Sequence, residues 1–240
     1  MDQARVKIIA EIGVNHNGSL AIAKQLIDVA KNTGADAVKF QTFKASALAS
    51  TKAKLANYQM KNQTKYANQQ AMLEKLELSE EDFRELKIFC EANSIEFISS
   101  PFDLSSLEFL IALDLQTIKF ASGEITNLLA LVCGGRSGKS ILLSTGMSFL
   151  SEVEIALCAI AWGATKVGFP RSKSELLQLS SNKEAQRYIK KNVTILHCTS
   201  EYPTPQSSAN LKAITVLQNT FGTDVGFSDH TIGSMAAVAS

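Results

Sequence analysis

The segment IIAEIGVNHNG, residues 8–18, decides the fold. An apolar run that contains Glu11 ends at Val14, and a polar turn then leads to Ser19, where a helical pattern begins. A strand that passes through a turn into a helix is the start of a βαβ unit. The turn lacks the GxGxxG spacing that a doubly wound, dinucleotide-binding sheet usually carries after its first strand. The segment therefore favours a (β/α)8 barrel over a doubly wound sheet.

Six further short apolar runs follow, separated by amphipathic stretches. The pattern predicts strands at residues 6–13, 36–43, 95–102, 116–123, 140–147, 193–200 and 224–231. Strands that alternate with helices form parallel sheets through right-handed crossovers. About seven such units predict an α/β fold of the TIM (β/α)8 type.

Several helix starts are signalled by capping boxes, in which a serine is followed three residues later by an acidic residue. This pattern occurs at Ser79–Asp82, Ser105–Glu108 and Ser151–Glu154. The first helix is expected to begin near Ser19 and to stop near Gly34. These signals place helices in the stretches between the predicted strands.

Two other segments invite a functional interpretation. The run GGRSGKS, residues 134–140, is similar to a phosphate-binding P-loop, but it precedes a strand instead of following one. We therefore do not interpret it as a P-loop. Residues 44–78 form a long polar connection that predicts a lid over a pocket.

Composition excludes several functional classes. The 240 residues include 24 Lys and Arg against 23 Asp and Glu, so no basic face for nucleic acid is expected. No apolar run is long enough for a membrane span, and the charged start MDQARVK is not a signal peptide. The four cysteines are widely spaced, which is typical of reduced thiols. We expect a cytoplasmic protein with neither a nucleic-acid nor a membrane partner.

Polar side chains collect near the C-terminal ends of the predicted strands, where a barrel of this type places its active site. One such residue alone is commonly structural, but all seven strands show the pattern. Two lysines with several hydroxyls suit a phosphate, and Glu11 and Gln41 suit sugar hydroxyls. His230 suits a divalent metal, because neutral imidazole is a common ligand. The sequence therefore predicts a site for a phosphorylated anion beside a polar, uncharged partner.

Seven motifs carry a resemblance to one family. The chain strongly resembles the sialic acid synthase (N-acetylneuraminate synthase) family in AEIGVNHNG, VKFQTF, SSPFD, KFASGEITN, LSTGM, LHCTSEYPTP and GFSDHT, in that order. The resemblance covers nearly the whole chain and implies the N-terminal catalytic barrel of such an enzyme. It implies a metal-dependent transferase that condenses phosphoenolpyruvate with an N-acetylmannosamine-type amino sugar. The implied products are phosphate and a sialic acid-like nonulosonic acid, N-acetylneuraminate or legionaminate.

The resemblance also implies roles for individual residues. It places phosphoenolpyruvate against Lys39, Ser100, Lys119, Ser122, Ser144 and Ser228. It places the sugar against Glu11, Gln41 and Tyr202, and it gives Glu11 and His230 catalytic roles. His230 corresponds to one of two histidine ligands of a manganese or magnesium ion. His16 would shape the rim of the site beside Asn15, His197 would orient it, and Ser200 stands where some relatives have asparagine.

The chain departs from the family pattern at its end. The family's second metal ligand lies in an eighth strand, after a helix that here begins near Gly233, and the sequence ends at Ser240. The resemblance thus implies that residues 1–240 are a C-terminally truncated barrel without the antifreeze-like domain, and that the full-length protein is a homodimer. We expect weak manganese binding and little synthase activity from this chain alone.

Two other functions stay open at this point. One is an aldolase that forms a Schiff base with Lys39 or Lys119, which would need a desolvated, neutral lysine. The other is a non-catalytic, truncated binding protein that retains the site but not the reaction. Trapping with borohydride and pyruvate would reveal the first, and an activity assay with added metal would separate the second from a synthase.

Overall fold

The computed structural model describes residues 5–49 and 68–240. Residues 50–67, which make up much of the predicted lid, lie outside the described residues. The chain divides into two compact units, Met1–Leu115 (unit 1) and Gln116–Ser240 (unit 2). Each unit is described by itself.

All seven predicted strands are present. They are β1 (Ile9–Gly13), β2 (Ala37–Thr42), β3 (Glu96–Pro101), β4 (Thr117–Phe120), β5 (Ser140–Ser144), β6 (Val193–His197) and β7 (Asp224–Phe227). From β4 onward each strand ends earlier than predicted. Ser122, Ser228 and His230 therefore lie after the strands and not in them, while Tyr202 lies beyond β6, as predicted.

Helices separate the strands within both units. Those in the described residues are Leu20–Asn32, Ala45–Leu48, Gln69–Leu76, Glu80–Ala92, Leu104–Ala112, Leu128–Arg136, Leu150–Thr165, Lys173–Leu177, Lys183–Asn192, Lys212–Phe221 and Met235–Ala239. Across residues 5–49 and 68–240, none of the helices combines the length and the apolar character that crossing a membrane requires.

The cap predictions were right at two helices and wrong at two. Ser19 caps the first helix, and Ser79 and Asp82 form a reciprocal capping box. The box at Ser105 is wrong, because the cap is two residues earlier: the helix starts at Leu104, and Asp103 accepts from the Ser106 amide at 2.8 Å. The box at Ser151 is also wrong. That helix begins at Leu150, and the Glu152 carboxylate accepts from the Phe149 amide at 2.8 Å.

In unit 1, β1, β2 and β3 are neighbours in chain order and run parallel. Because side chains alternate along a strand, Val38 and Phe40 point to one face and Lys39 and Gln41 to the other. Val38 and Phe40 are fully buried in a cluster with residues of the helices. We call the face of the sheet that they occupy the helix face. We call the opposite face, which carries Lys39 and Gln41, the site face.

An aromatic group fills the helix face of unit 1. The Phe40 ring lies 5.2 Å from that of Phe97 and 6.5 Å from that of Phe83, and Phe83 lies 6.1 Å from Phe109, measured between centroids. Large rings in tilted and edge-on contact bury much apolar area. This cluster holds the helices of unit 1 on its three strands.

In unit 2, β4 to β7 also follow chain order and run parallel. Glycines bring the helices Leu128–Arg136 and Leu150–Thr165 into close contact. A β-carbon at Gly135 would overlap the Ile160 carbonyl, and one at Gly163 would overlap the Val132 carbonyl. The run GGRSGKS thus ends a helix and enters β5, which agrees with the prediction that it is not a P-loop.

The two faces of the unit 2 sheet follow from its contacts. A β-carbon at Gly134 would touch Phe120 and Ile141, so these side chains point to the helices. In the parallel register, Lys119 of β4 pairs with Leu142 of β5. Side chains alternate along a strand, so Lys119 and Leu142 point away from the helices, and so does Ser144, two residues after Leu142. We call this face the site face of unit 2.

Candidate active site

An irregularity in β1 positions Glu11. Glu11 pairs with Lys39, but the next pair along the strands is Gly13 with Phe40, so Ile12 is an extra residue in β1. Such a bulge bends a strand and redirects its side chains. Ile12 is buried in the helix-face cluster, while Glu11 stays on the site face. Gly13 has a φ of 56°, a conformation that favours glycine.

Glu11 forms an ion pair with Lys39 on the site face. The Lys39 Nζ lies 2.7 Å from the Glu11 Oε2; the Lys39 side chain is only 7% exposed, whereas that of Glu11 is 54% exposed. A buried ammonium needs a partner, and Glu11 supplies it from the more open side. A β-carbon at Gly13 would lie 2.8 Å from the Glu11 Oε1 and 3.6 Å from the Gln41 Nε2, so the three residues form one cluster.

Ser100 lies on the same face as this cluster. It pairs with Gln41 in the parallel register of β2 and β3. Its hydroxyl is fully buried and has no hydrogen-bond partner among residues 5–49 and 68–240. Buried polar atoms without partners are rare, so the Ser100 hydroxyl is suited to form a hydrogen bond with a ligand. The four residues predicted in unit 1, Glu11, Lys39, Gln41 and Ser100, thus share one face.

In unit 2, the loops after β4, β5 and β6 meet at Ser122. The Gly146 amide donates to the Ser122 Oγ at 3.0 Å, and the Cys198 Sγ lies 3.1 Å from the same oxygen. A β-carbon at Gly146 would also overlap the Ser200 Oγ. Ser144, at the end of β5, has a fully buried hydroxyl without a partner in the part of the chain that the structure describes. Like Ser100, it offers an unused hydrogen-bonding atom.

His230 forms the centre of a second group in unit 2. Its Nδ1 lies 2.6 Å from the Thr199 carbonyl, so Nδ1 carries the hydrogen and donates it. In the neutral ring the lone pair is then on Nε2, which lies 3.2 Å from the Tyr202 hydroxyl and 3.4 Å from the Ser228 hydroxyl. The Tyr202 and His230 rings are 4.2 Å apart. The structure therefore brings together three predicted residues, Tyr202, Ser228 and His230.

The other two histidines do not reach the site faces. His16 is buried, stacks on Phe40 at 5.9 Å and accepts from the Gly18 amide through Nδ1 at 3.1 Å. Burial lowers the pKa of His16, so the ring is a neutral core residue and the expectation that it shapes the rim is wrong. His197 stacks on Phe227 and its Nε2 donates to the Ala209 carbonyl at 2.8 Å. It anchors a loop from the helix face.

A divalent metal fits these residues only in part. The His230 Nε2 is available as one ligand atom. Among residues 5–49 and 68–240, no three side chains of the types His, Cys, Asp or Glu converge on a common point. The described residues do not complete a metal site, and we derive no reaction step from a metal.

The family assignment follows from comparison with known proteins. The model of the NeuB family matches residues 26–240. The chain belongs to the NeuB family. Relatives in this family include the N,N'-diacetyllegionaminic acid synthases of Campylobacter jejuni, 45% identical over 97% of this chain and 64% of that protein, and of Legionella pneumophila, 42% identical over 94% and 58%. The chain thus spans about three fifths of the length of these relatives.

Solved NeuB-type structures confirm the predicted fold class. The crystal structure of an N-acetylneuraminic acid synthetase from Leptospira borgpetersenii, in complex with citrate, matches 96% of this chain and 67% of that one, with a TM-score of 0.74 and 28% identity. A spore coat polysaccharide biosynthesis protein from Bacillus subtilis matches 95% and 54%, with a TM-score of 0.71 and 28% identity. The TIM-barrel-type α/β fold with seven parallel strands is therefore as predicted.

Sequence reasoning missed two residues of the NeuB site faces. Cys198 was interpreted only as a reduced thiol, and all four cysteines are indeed free, but Cys198 also contacts Ser122. The Gly146 amide donates a hydrogen bond to Ser122. This contact involves only the backbone of Gly146, so the residue type does not indicate it. The alternation of β6 could have indicated Cys198, since it follows Leu196 by two residues and thus points to the site face.

Proposed function

We propose that this chain is the catalytic barrel of a nonulosonic acid synthase that condenses phosphoenolpyruvate with an N-acetylmannosamine-type amino sugar. The observation that carries the proposal is the buried Lys39 ammonium, paired on its open side with Glu11. An anionic ligand can replace Glu11 as the partner of this buried charge. Ser100 in unit 1 adds a hydroxyl that suits such an anion. We also assign Ser122, Ser144 and Ser228 of unit 2 to phosphoenolpyruvate, as the family resemblance implies.

In the proposed reaction, the methylene carbon of phosphoenolpyruvate forms a bond to the aldehyde carbon of the open-chain sugar. The enol carbon becomes cationic and takes up water. The tetrahedral intermediate then loses phosphate by cleavage of its C–O bond, which leaves the keto acid. Lys39 and Lys119 would neutralise the phosphate throughout, because fixed cations stabilise charge that develops during the reaction.

The Glu11–Lys39 ion pair would link the binding of the two substrates, since we assign Lys39 to the phosphate and Glu11 to the sugar. When the phosphate of the substrate pairs with the Lys39 ammonium, Glu11 loses its ion-pair partner. Its carboxylate can then accept hydrogen bonds from sugar hydroxyls or take up a proton. Gln41 lies beside it in unit 1, and Tyr202 adds a hydroxyl in unit 2. We assign Glu11, Gln41 and Tyr202 to the sugar.

The product we propose is of the legionaminate type. The relatives at 45% and 42% identity are N,N'-diacetyllegionaminic acid synthases. A pseudaminic acid synthase of Helicobacter pylori and the human N-acetylneuraminate-9-phosphate synthase are each 30% identical. The order of these identities supports a diacetamido sugar as the preferred acceptor.

The aldolase alternative is less well supported by the geometry of Lys39. A Schiff base needs a free amine, whereas the Lys39 Nζ lies 2.7 Å from the Glu11 Oε2 in an ion pair. Absence of borohydride trapping with pyruvate is therefore expected.

A divalent metal stays a prediction. We expect His230 to supply one ligand through Nε2, since Nδ1 is committed to Thr199. One imidazole with waters holds a divalent ion loosely. We therefore expect titration calorimetry to show weak manganese binding that is lost in His230→Ala. Tight, stoichiometric binding that survives this change would contradict the assignment. A cytoplasmic location and a homodimer of the full-length protein also stay predictions.

Phosphate release tests the proposal. The chain is incubated with phosphoenolpyruvate, manganese and each of three acceptors: a diacetamido-trideoxy sugar, N-acetylmannosamine and its 6-phosphate. We expect binding of phosphoenolpyruvate by calorimetry and, because this chain alone should have little synthase activity, only weak release above the no-acceptor control, greatest with the diacetamido sugar. Binding without release would favour the non-catalytic alternative, and failure to bind phosphoenolpyruvate would overturn the proposal.

A further inference from the structure

The Ser122 hydroxyl is held by two neighbours from two other loops. Ser122 opens the turn after β4, Gly146 follows β5 and Cys198 follows β6. The Gly146 amide donates to the Ser122 Oγ at 3.0 Å, and the Cys198 Sγ lies 3.1 Å from that oxygen. This contact is the only use of a cysteine side chain as a hydrogen-bond partner recorded in the described residues.

Packing fixes the position of the thiol. Cys198 is only 6% exposed. A β-carbon at Gly146 would lie 2.9 Å from both the Cys198 Sγ and the Ser122 Oγ, so the glycine backbone rests against both atoms. The Thr145 amide and hydroxyl each donate to the Leu196 carbonyl at 3.1 Å, which ties the loop after β5 to β6. The three residues are thus held in one arrangement.

The hydrogen-bonding capacity of a serine gives the thiol a specific effect. A hydroxyl has one hydrogen and two lone pairs, and the Gly146 amide uses one lone pair of Ser122. If the Cys198 thiol donates to the second lone pair, the hydroxyl hydrogen remains for a ligand. If Ser122 donates to the sulfur instead, no hydrogen remains.

A second feature of the same site face points to a ligand. The Ser144 Oγ, two residues before Gly146, is fully buried and unpartnered in the described structure. An anion would accept from both Ser144 and Ser122, and it would select the arrangement in which Cys198 donates.

We propose that Cys198 is a positioning residue whose thiol donates to the Ser122 Oγ and thereby directs the Ser122 hydroxyl hydrogen to an oxygen of the anionic substrate. This inference rests on the proposed function and deepens it. Cys198 would thus affect the binding of the anionic substrate only through the Ser122 hydroxyl. Serine at position 198 would keep a donor, on a shorter bond, and alanine would remove it.

The test measures phosphoenolpyruvate binding to the full chain by calorimetry. A single neutral hydrogen bond changes binding by roughly 2- to 10-fold, so we expect Cys198→Ala to bind about 5-fold more weakly. Cys198→Ser should recover part of this loss. Cys198→Ala should cause no further loss in a Ser122→Ala background, because its effect passes through that hydroxyl.

Cys158→Ala is the matched control. Cys158 is buried in the helix Leu150–Thr165, and burial raises the pKa of its thiol to about 11. This variant should lower the melting temperature without changing phosphoenolpyruvate affinity. If Cys198→Ala fails to fold, Cys198→Val, which fills the space without a donor, takes its place.

The outcomes separate this inference from the proposed function. Unchanged affinity in Cys198→Ala, or an equal loss with and without Ser122, would overturn the positioning role while the proposed function stands. A wild-type chain that binds no phosphoenolpyruvate would overturn both.

Discussion

The two units carry different chemistry on their site faces. Unit 1 presents a buried charge, Lys39, held by Glu11. In unit 2, Ser122 and His230 are held by neutral hydrogen bonds, from the Gly146 amide and to the Thr199 carbonyl. A buried cation requires a partner at all times, whereas a neutral hydroxyl can remain unused at lower cost. The buried charge of unit 1 thus keeps a carboxylate as its partner, whereas one buried hydroxyl in each unit, Ser100 and Ser144, has no partner among the described residues.

The units also differ in the way their helices pack. Unit 1 uses large rings around Phe40, and unit 2 uses glycines that let two helices approach closely. The first kind of packing fails when volume is removed, and the second fails when volume is added. Four changes probe these differences.

The largest expected effect is the loss of an aromatic ring in unit 1. Phe40→Ala should lower the free energy of unfolding by about 3–5 kcal/mol, the usual cost of such a cavity. Urea denaturation would measure it. Phe149→Ala is the control, since Phe149 is 77% exposed. Equal effects of the two changes would mean that the aromatic cluster does not hold unit 1.

The next effect concerns charge on the site face. Lys39→Met should weaken phosphoenolpyruvate binding by about 1.5–3 kcal/mol, the contribution of a charge-assisted hydrogen bond. Lys119→Met should act in the same direction. Circular dichroism should show an intact fold, and Lys190→Met, on an exposed helix surface, should bind normally. Unchanged affinity in both site variants would refute the phosphate assignment.

Added volume tests the helix packing of unit 2. In Gly163→Ala the new methyl group would overlap the Val132 carbonyl, and overpacking of this kind costs about 1–3 kcal/mol. Thermal unfolding would report the loss. Ala164→Ser, on the exposed side of the same helix, should have little effect; a loss as large as that of Gly163→Ala would mean that this helix is sensitive to any change, and not to close approach at Gly163.

The smallest expected effect depends on pH. Asp103 is partly buried, which opposes ionisation, but hydrogen bonds from Ser105, Ser106 and the Lys44 amide outweigh this and lower the pKa of its carboxyl. A group whose pKa is lowered by folding stabilises the protein above its unfolded pKa of about 3.9, and this contribution is lost as the pH falls. Asp103→Ala should cost about 1 kcal/mol at neutral pH, as for other N-caps.

The pH series checks the sign of this effect. The difference in unfolding free energy between wild type and Asp103→Ala should shrink as the pH falls below about 4. A difference that is constant, or that grows in acid, would show that the charged form of Asp103 is not the stabilising one.

Much of this architecture could be predicted because it follows from periodicity. Alternation within β2 placed Lys39 and Gln41 on one face, and the repeat of apolar runs placed all seven strands. Helix starts were less certain, since Asp103 competes with Ser105 for the same cap and only the tertiary contact with Lys44 decides between them. Backbone contributions escaped prediction. The Gly146 amide and the Thr199 carbonyl act through atoms that every residue has, so no side chain in the sequence signals them.

The extra residue in β1 has a consequence for how this sequence can vary. The Glu11 Oε1 lies where a side chain at position 13 would begin, 2.8 Å from the site of a β-carbon. A larger residue at position 13 therefore requires the Glu11 carboxylate to move, and the left-handed backbone at Gly13 disfavours any side chain there. Positions 11 and 13 are thus linked through space, and a side chain at position 13 would displace the carboxylate that pairs with Lys39.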